Sequence, residues 1–284
     1  MSEPDKSSTA ETFGELVGQH VDDERIQLGR AALVITRIEY PELRFEPYLK
    51  RIEQFAGRVR ERLAADSGVV ESVAAINHVL FVEAGFRGNR EDYYDPRNSF
   101  LNDVLDRKLG IPITLALLYM EIARLVGFPL FGVGMPGHFL LKHYDVEGRE
   151  TLIDAFNGGR VVTASECQAR LDEIYDGQVT LRPEFLMSVS RRQMLTRMLS
   201  NLKNIYLSGR NFRKMLDVVD LILAIYPRSA EDVKQRALLR YNLGQSRAAL
   251  EDFDEYLKMS PDASDADEIR QAALAIRRNL ATMN

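Results

Sequence analysis

Two residues of the chain have types and spacing suited to proton transfer. His138 stands in "MPGHFLLKHY" and Asp154 in "TLIDAF", two apolar runs joined by the turn-forming stretch "DVEGRE". An imidazole held by a carboxylate is the base half of a nucleophilic site. The carboxylate fixes the ring's tautomer, and the ring takes the proton of a thiol or hydroxyl. A hairpin centred near Val146 makes His138 and Asp154 direct cross-strand neighbours on one face. The same pair also suits a satisfied structural contact, and these two residues by themselves leave both readings open.

The nucleophile half is harder to find. "RKLGIPITLALLYMEIARLVG" has a glycine turn followed by the start of an apolar helix, where the helix dipole lowers a thiol's pKa, but it contains no cysteine. The one cysteine, Cys167, falls in an apolar helical register with Leu171 and Ile174 and is expected in the core. Among hydroxyls, Thr114 in the first turn of that helix is the alternative nucleophile, with Ser99 just upstream; neither comes with a recognisable oxyanion hole. A metal site is not expected. His143 is five residues from His138, so on one strand the two rings point to opposite faces, His78 lies in a helical pattern, and His20 lies near the N-terminus. No cofactor motif is present either.

The loop "GFRGNREDYYDPRNSF" is dense in polar groups beside two tyrosines. Arg87, Asn89, Arg90, Asp95, Arg97 and Asn98 are candidates for a binding surface on a rigid scaffold. The near balance of arginine and aspartate equally suits a salt-bridged brace for the apolar helix that follows.

The elements that must position these residues follow from periodicity. Residues 1–22 are small, polar and acidic and are expected to form a mobile tail. Helices are predicted over about 24–37, 45–64 and 70–85, and a buried one from Pro112, which suits a first helical position, to Gly127. Strands follow in "LFGVG", "HFLLKHY" and "TLIDAF", then a helix opened by the capping pair Thr163 and Glu166. From about residue 185 every signal is helical. Pro227 and Pro261 are 34 residues apart, the tetratricopeptide period, although Arg236 and Arg240 stand where that repeat prefers Leu and Tyr. Leu202, Tyr206, Ala237 and Phe253 are expected on the inner helix faces, and residues 265–281 as a capping helix.

Composition sets the outer limits. A chain of 284 residues, 45% of them hydrophobic, supplies cores for two domains. A net charge of −5 with scattered Lys and Arg argues against nucleic acid. The longest apolar run is too short for a membrane span, the N-terminus lacks a secretory pattern, and a lone cysteine suits a reducing cytoplasm.

The segment from about Ala31 to Val162, carrying the loop, "GIPITLALLYMEIARLVGF", "MPGHFLL" and "LIDAFNGGR", resembles the transglutaminase-like domain of bacterial SirB-type proteins, which join it to C-terminal tetratricopeptide-like repeats. The resemblance implies an α+β fold of the papain and transglutaminase kind, helices packed on a small antiparallel sheet over residues 23–184, then an all-α repeat module over 185–284. It also implies a Cys, His, Asp triad, whose positions fall on Pro112, His138 and Asp154. Proline has no nucleophilic atom. The expectation is therefore a non-catalytic adaptor or regulator that binds protein or peptide, with a hydrolase or acyl transferase using a non-cysteine nucleophile as the alternative.

Overall fold

Ser8 and Glu11 open the first helix, α1 (Thr9–Val17), by a reciprocal cap: the Ser8 hydroxyl accepts from the Glu11 amide at 3.2 Å, and the Glu11 carboxylate accepts from the Ser8 amide at 2.7 Å. The computed structural model describes residues 8–282. Residues 9–17 were expected in a mobile tail; they are helical instead, and Phe13 and Val17, four apart on one face, are fully buried. The part of the expected tail before Ser8 lies outside the described residues.

The chain divides into two compact units. Asp23–Met198 forms one, and the described residues up to Asp22 together with those from Leu199 form the other. The division falls within a helix, past the expected boundary at residue 184, because β-pairing and side-chain packing carry the first unit through Met198.

In the first unit, α2 (Leu28–Ile35), α3 (Glu46–Arg60) and α4 (Val69–Asn77), which runs on as a π-helical turn over His78–Glu83, answer the three predicted helices. A two-residue parallel ladder of β1 (Arg87–Gly88) and β2 (Leu109–Gly110) flanks a short α5 (Leu101–Arg107) that periodicity did not reveal. Pro112 begins α6 (Pro112–Leu125), buried on all sides from Pro112 to Ala123, as its lack of a polar face dictates.

Five antiparallel strands follow: β3 (Phe131–Val133), β4 (Leu140–Tyr144), β5 (Glu150–Asp154), β6 (Arg160–Val162) and, after α7 (Ala164–Tyr175), β7 (Ser188–Val189). Their order across the sheet is β6-β5-β4-β3-β7. Val133, Leu140 and Leu152 pack under Cys167 and Leu171 of α7. Alternation sends Leu141 and Ile153 to the opposite face, where both are fully buried and α6 meets β4.

The β4–β5 register corrects the expected one. Lys142 pairs with Leu152 and His143 with Thr151, so the hairpin centres on Glu147, one residue later than predicted. Continued, this register sets Asp154 opposite Leu140, and His138 lies two residues before the strand. A shift of one in the centre moves the pairing by two residues, which preserves the face on which each side chain lies.

The long helix α8 (Arg191–Ser208) belongs to the first unit at its start, where Met194 fills the space a side chain on Gly132 would take. In the second unit α1 packs on α9 (Phe212–Ile225), with Gly14 facing Ala224, and α9, α10 (Ala230–Asn242), α11 (Ser246–Met259) and α12 (Ala266–Thr282) pack in succession. Leu202, Tyr206, Ala237 and Phe253 are all buried, as expected. Arg236 and Arg240 converge on Asp252, which is 2% exposed, at 2.7 and 2.8 Å. An ion-paired cluster stands where the repeat ordinarily packs Leu and Tyr.

Phe13→Ala removes a fully buried aromatic ring and is expected to lower the stability of the full chain by about 3–5 kcal/mol in denaturant unfolding. A midpoint equal to wild type would reinstate the mobile tail.

Candidate functional site

The carboxylate of Asp154, at the end of β5, is 5% exposed, and a desolvated anion needs partners. His138 Nε2 lies 2.9 Å from Oδ2. Asn157 donates its amide nitrogen to Oδ1 at 3.2 Å and its side-chain nitrogen to Oδ2 at 2.7 Å. Burial pushes the Asp154 pKa up, but the His138 and Asn157 contacts outweigh it, and the group is held below the usual aspartate value.

Both partners are themselves held. After Asn157 the chain turns through Gly158 and Gly159, each at positive φ; the Gly159 amide donates to the Asp154 carbonyl at 2.8 Å, and its own carbonyl accepts from Asn77 Nδ2 at 2.8 Å. A Cβ on Gly159 would sit 1.8 Å from Asn77 Oδ1, so this turn is closed to other residues. His138 follows Gly137, also at positive φ, and Arg197 of α8 donates to the carbonyls of Met135 and His138 at 3.1 and 2.9 Å. The Phe156 ring meets the imidazole edge-on at 5.9 Å. His138 is 2% exposed, and its Nδ1 has no hydrogen-bond partner.

A cleft of about 330 Å³ opens beside this pair, lined by Arg90, His138, Asp154, Asn157, Arg160 and Arg170 among others. Cys167 also lines it; Pro112 and Thr114 do not. Pro112 occupies the first position of α6, as expected, and is buried. Thr114 is fully buried, and its hydroxyl donates to the Asn98 carbonyl at 2.8 Å while accepting from the Ile111 amide at 3.1 Å. The candidate nucleophile is thus a helix cap whose proton is already engaged. Ser99, its neighbour in sequence analysis, is 1% exposed.

The six loop candidates separate by burial. Asn89, Asp95 and Asn98 point inward: Asn89 donates to Asn98 at 3.0 Å, Asn98 to the carbonyls of Asp92 and Tyr93, and Asp95 pairs with Arg97 at 2.8 Å and Arg107 at 3.1 Å. Burial raises the Asp95 pKa, but the two arginines outweigh it and hold the group low. These residues brace the start of α6. Arg87, Arg90 and Arg97 are exposed, and of the six Arg90 reaches the cleft.

A profile of the transglutaminase-like superfamily matches residues 46–200, which span every residue of this site. The chain belongs to the transglutaminase-like superfamily. A tetratricopeptide-repeat profile matches residues 202–273. Over 253 residues this superfamily member is 36% identical to a UPF0162 protein of Xylella fastidiosa, covering 88% of this chain and 90% of that one. It is 26% identical over 255 residues to a UPF0162 protein of Vibrio cholerae, covering 90% and 94% of the two chains. To F-box only protein 21 of Homo sapiens it is 35% identical over 180 residues, 60% of this chain and 28% of that protein.

Asn157, Phe156, Asn77 and Arg197 were missed in the sequence. Asn157 had a local signal: Asp154 three residues ahead, and two glycines after, form an Asx-type turn. Asn77 and Arg197 had none, being dozens of residues away in the chain. His143 Nδ1 donates to the Pro129 carbonyl at 2.8 Å and the ring stacks on Phe128, and His78 pairs with Glu83. Among the described residues no three His, Cys, Asp or Glu side chains gather as metal ligands, and no helix is long and apolar enough to cross a membrane.

Two outcomes follow from the site's electrostatics. Cys167 is 3% exposed, and burial, then the nearby Asp154 charge, pushes its thiol pKa up, so labelling by a thiol reagent at neutral pH is expected to be far slower in the native protein than in denaturant; rapid stoichiometric labelling would contradict the burial. Asp154, with a depressed folded pKa, contributes stability that is fully present above its unfolded pKa of about 3.9 and is lost as pH falls through the lower folded value. Asp154→Asn is expected to be about 1–3 kcal/mol less stable at pH 7, with the gap to wild type closing below pH 4 in urea titrations.

Proposed function

We propose that this transglutaminase-like chain is a non-catalytic adaptor or regulator of the SirB type, working in the cytoplasm by binding a protein or peptide. The observation that carries the reading is Pro112. The resemblance places the superfamily's cysteine there, at the first turn of the buried α6, and a proline ring supplies neither a nucleophilic atom nor a proton to His138.

Two further features support it. The Thr114 hydroxyl is committed to the Asn98 carbonyl, and the Cys167 thiol is kept protonated by burial, so neither is an activated nucleophile. The tetratricopeptide-like helices add a second module of a kind suited to polypeptide partners. The His138 and Asp154 pair then acts as a rigid wall of a binding cleft, its ring orientation fixed by the carboxylate.

The test is a panel of ester and amide substrates assayed with wild type and His138→Ala. Equal, background rates are expected for the two proteins. Turnover by wild type that falls a hundredfold or more in the variant would make the protein an enzyme. Alongside, affinity capture from the native lysate is expected to recover a polypeptide partner that remains bound at the same level whether or not such substrates are present.

A further inference from the structure

A second concavity lies on the other face of the sheet. It is a groove of about 750 Å³ between the α3–α4 connection, the end of α6 and the β4–β5 hairpin, with apolar walls of Leu63, Val69, Val126, Phe128, Pro129 and Val146. Alternation along β4 sets His143 on the face of Leu141, against α6, and Leu140, which lines the His138 cleft, on the opposite one.

Two polar side chains stand among these walls, each more than nine-tenths buried: Ser72 of α4, 6% exposed, and His143, 7% exposed. His143 Nδ1 is spent on the Pro129 carbonyl and the ring stacks on Phe128 with centroids 4.4 Å apart, so its orientation is fixed. Among the described residues neither His143 Nε2 nor Ser72 Oγ makes a hydrogen bond, and neither atom is sealed from the groove. The other polar groups of the lining are occupied. Asp145 is taken by Arg149 at 2.7 Å and by two amides of its own turn, and Ser67 accepts from the Ala64 amide at 2.9 Å. Arg60 is exposed at the rim and donates to the Leu125 carbonyl at 2.9 Å.

These atoms decide the class of ligand. An ionised group would be desolvated against apolar walls with no buried counter-charge, and a pure hydrocarbon would cover two polar atoms without giving either a hydrogen bond. A hydroxyl both donates and accepts, so it pairs with an imidazole nitrogen in either protonation state of the ring. We propose that the groove binds a small neutral molecule with an apolar body and a hydroxyl group, the hydroxyl on His143 Nε2 and the body against Phe128, Val126 and Leu63. Ser72 Oγ is open to a second polar atom of such a molecule. The volume lies within the usual range of roughly 300–1,000 Å³ for small-molecule sites, whose walls are likewise mostly apolar with a few directed polar groups. This site is separate from the peptide-binding reading, whose cleft lies across the sheet.

The test titrates the full-length protein with three probes, p-cresol, p-xylene and p-toluate, and follows the assigned ring signals of His143 and His138 by NMR. p-Cresol is expected to shift the His143 signals saturably and to leave those of His138 in place. p-Xylene, in which a methyl replaces the hydroxyl, is expected to bind about fivefold more weakly, the loss of one neutral hydrogen bond. p-Toluate is expected to bind at least about tenfold more weakly, because its carboxylate must be desolvated. His143→Phe keeps an aromatic ring against Phe128 and is expected to erase the advantage of p-cresol over p-xylene; if the variant fails to fold, the wild-type ring signals and probe ranking decide. Unmoved or non-saturating His143 signals would overturn the proposal. Equal binding of p-xylene would make the groove a plain apolar surface, and tighter binding of p-toluate would make its ligand an anion; either overturns it. Tighter binding of a tyrosine-containing peptide than of p-cresol would make the occupant a partner's side chain and overturn the small-molecule assignment.

Discussion

A buried carboxylate governs the first unit. Asp154 is desolvated at the end of a short strand, and an anion so placed is tolerated only with every partner in position. Its needs reach across the fold: a histidine from the turn before β4, an asparagine from its own turn, a glycine pair that lets that turn close, and Asn77 of α4 to hold the glycines. Arg197 fixes the histidine from the other side through two carbonyls. Removing any of these leaves a polar group without its partner in a dry setting, and that constraint holds the pair in its close geometry.

The second unit meets the same constraint with different means. Asp252 is as deeply buried as His138, and Arg236 and Arg240 both turn onto it, with Asp220 close by. Burial raises the Asp220 pKa and the arginines only partly offset this. Two positions that depart from the repeat's apolar pattern therefore form one ionic cluster, and the helix packing around Leu202, Ala237 and Phe253 is left intact. The departure in sequence is a matched exchange of dispersion contacts for paired charge.

Much of the scaffold was legible because the signals are local. Pro112 suits a first helical position by lacking an amide proton, Gly127 ends α6 at positive φ, and Thr163 with Glu166 caps α7 through side chains three residues apart. The same logic applied to Ser8 and Glu11 reads α1 correctly, with Phe13 and Val17 on one face, and the acidic composition of the segment concealed it. The hairpin centre was displaced by one residue because "DVEGRE" accommodates more than one turn; Gly148 at positive φ selects the later one.

The sequence by itself determined which chemistry is available: a histidine and an aspartate near each other on a hairpin, a proline at the head of a buried helix, and a single cysteine in an apolar register. Those are properties of residue type and short spacing, and tertiary structure cannot alter them. Only the fold decided which polar groups remain unspent. Arg90 was one of six similar loop residues until Asp95 and the buried asparagines were seen to be consumed in bracing α6. His138 Nδ1 was left without a partner once Nε2 was committed to Asp154. Saturation of hydrogen bonds is settled by neighbours far along the chain, and burial fixes the cost of leaving one unmade, so that inventory exists only in three dimensions.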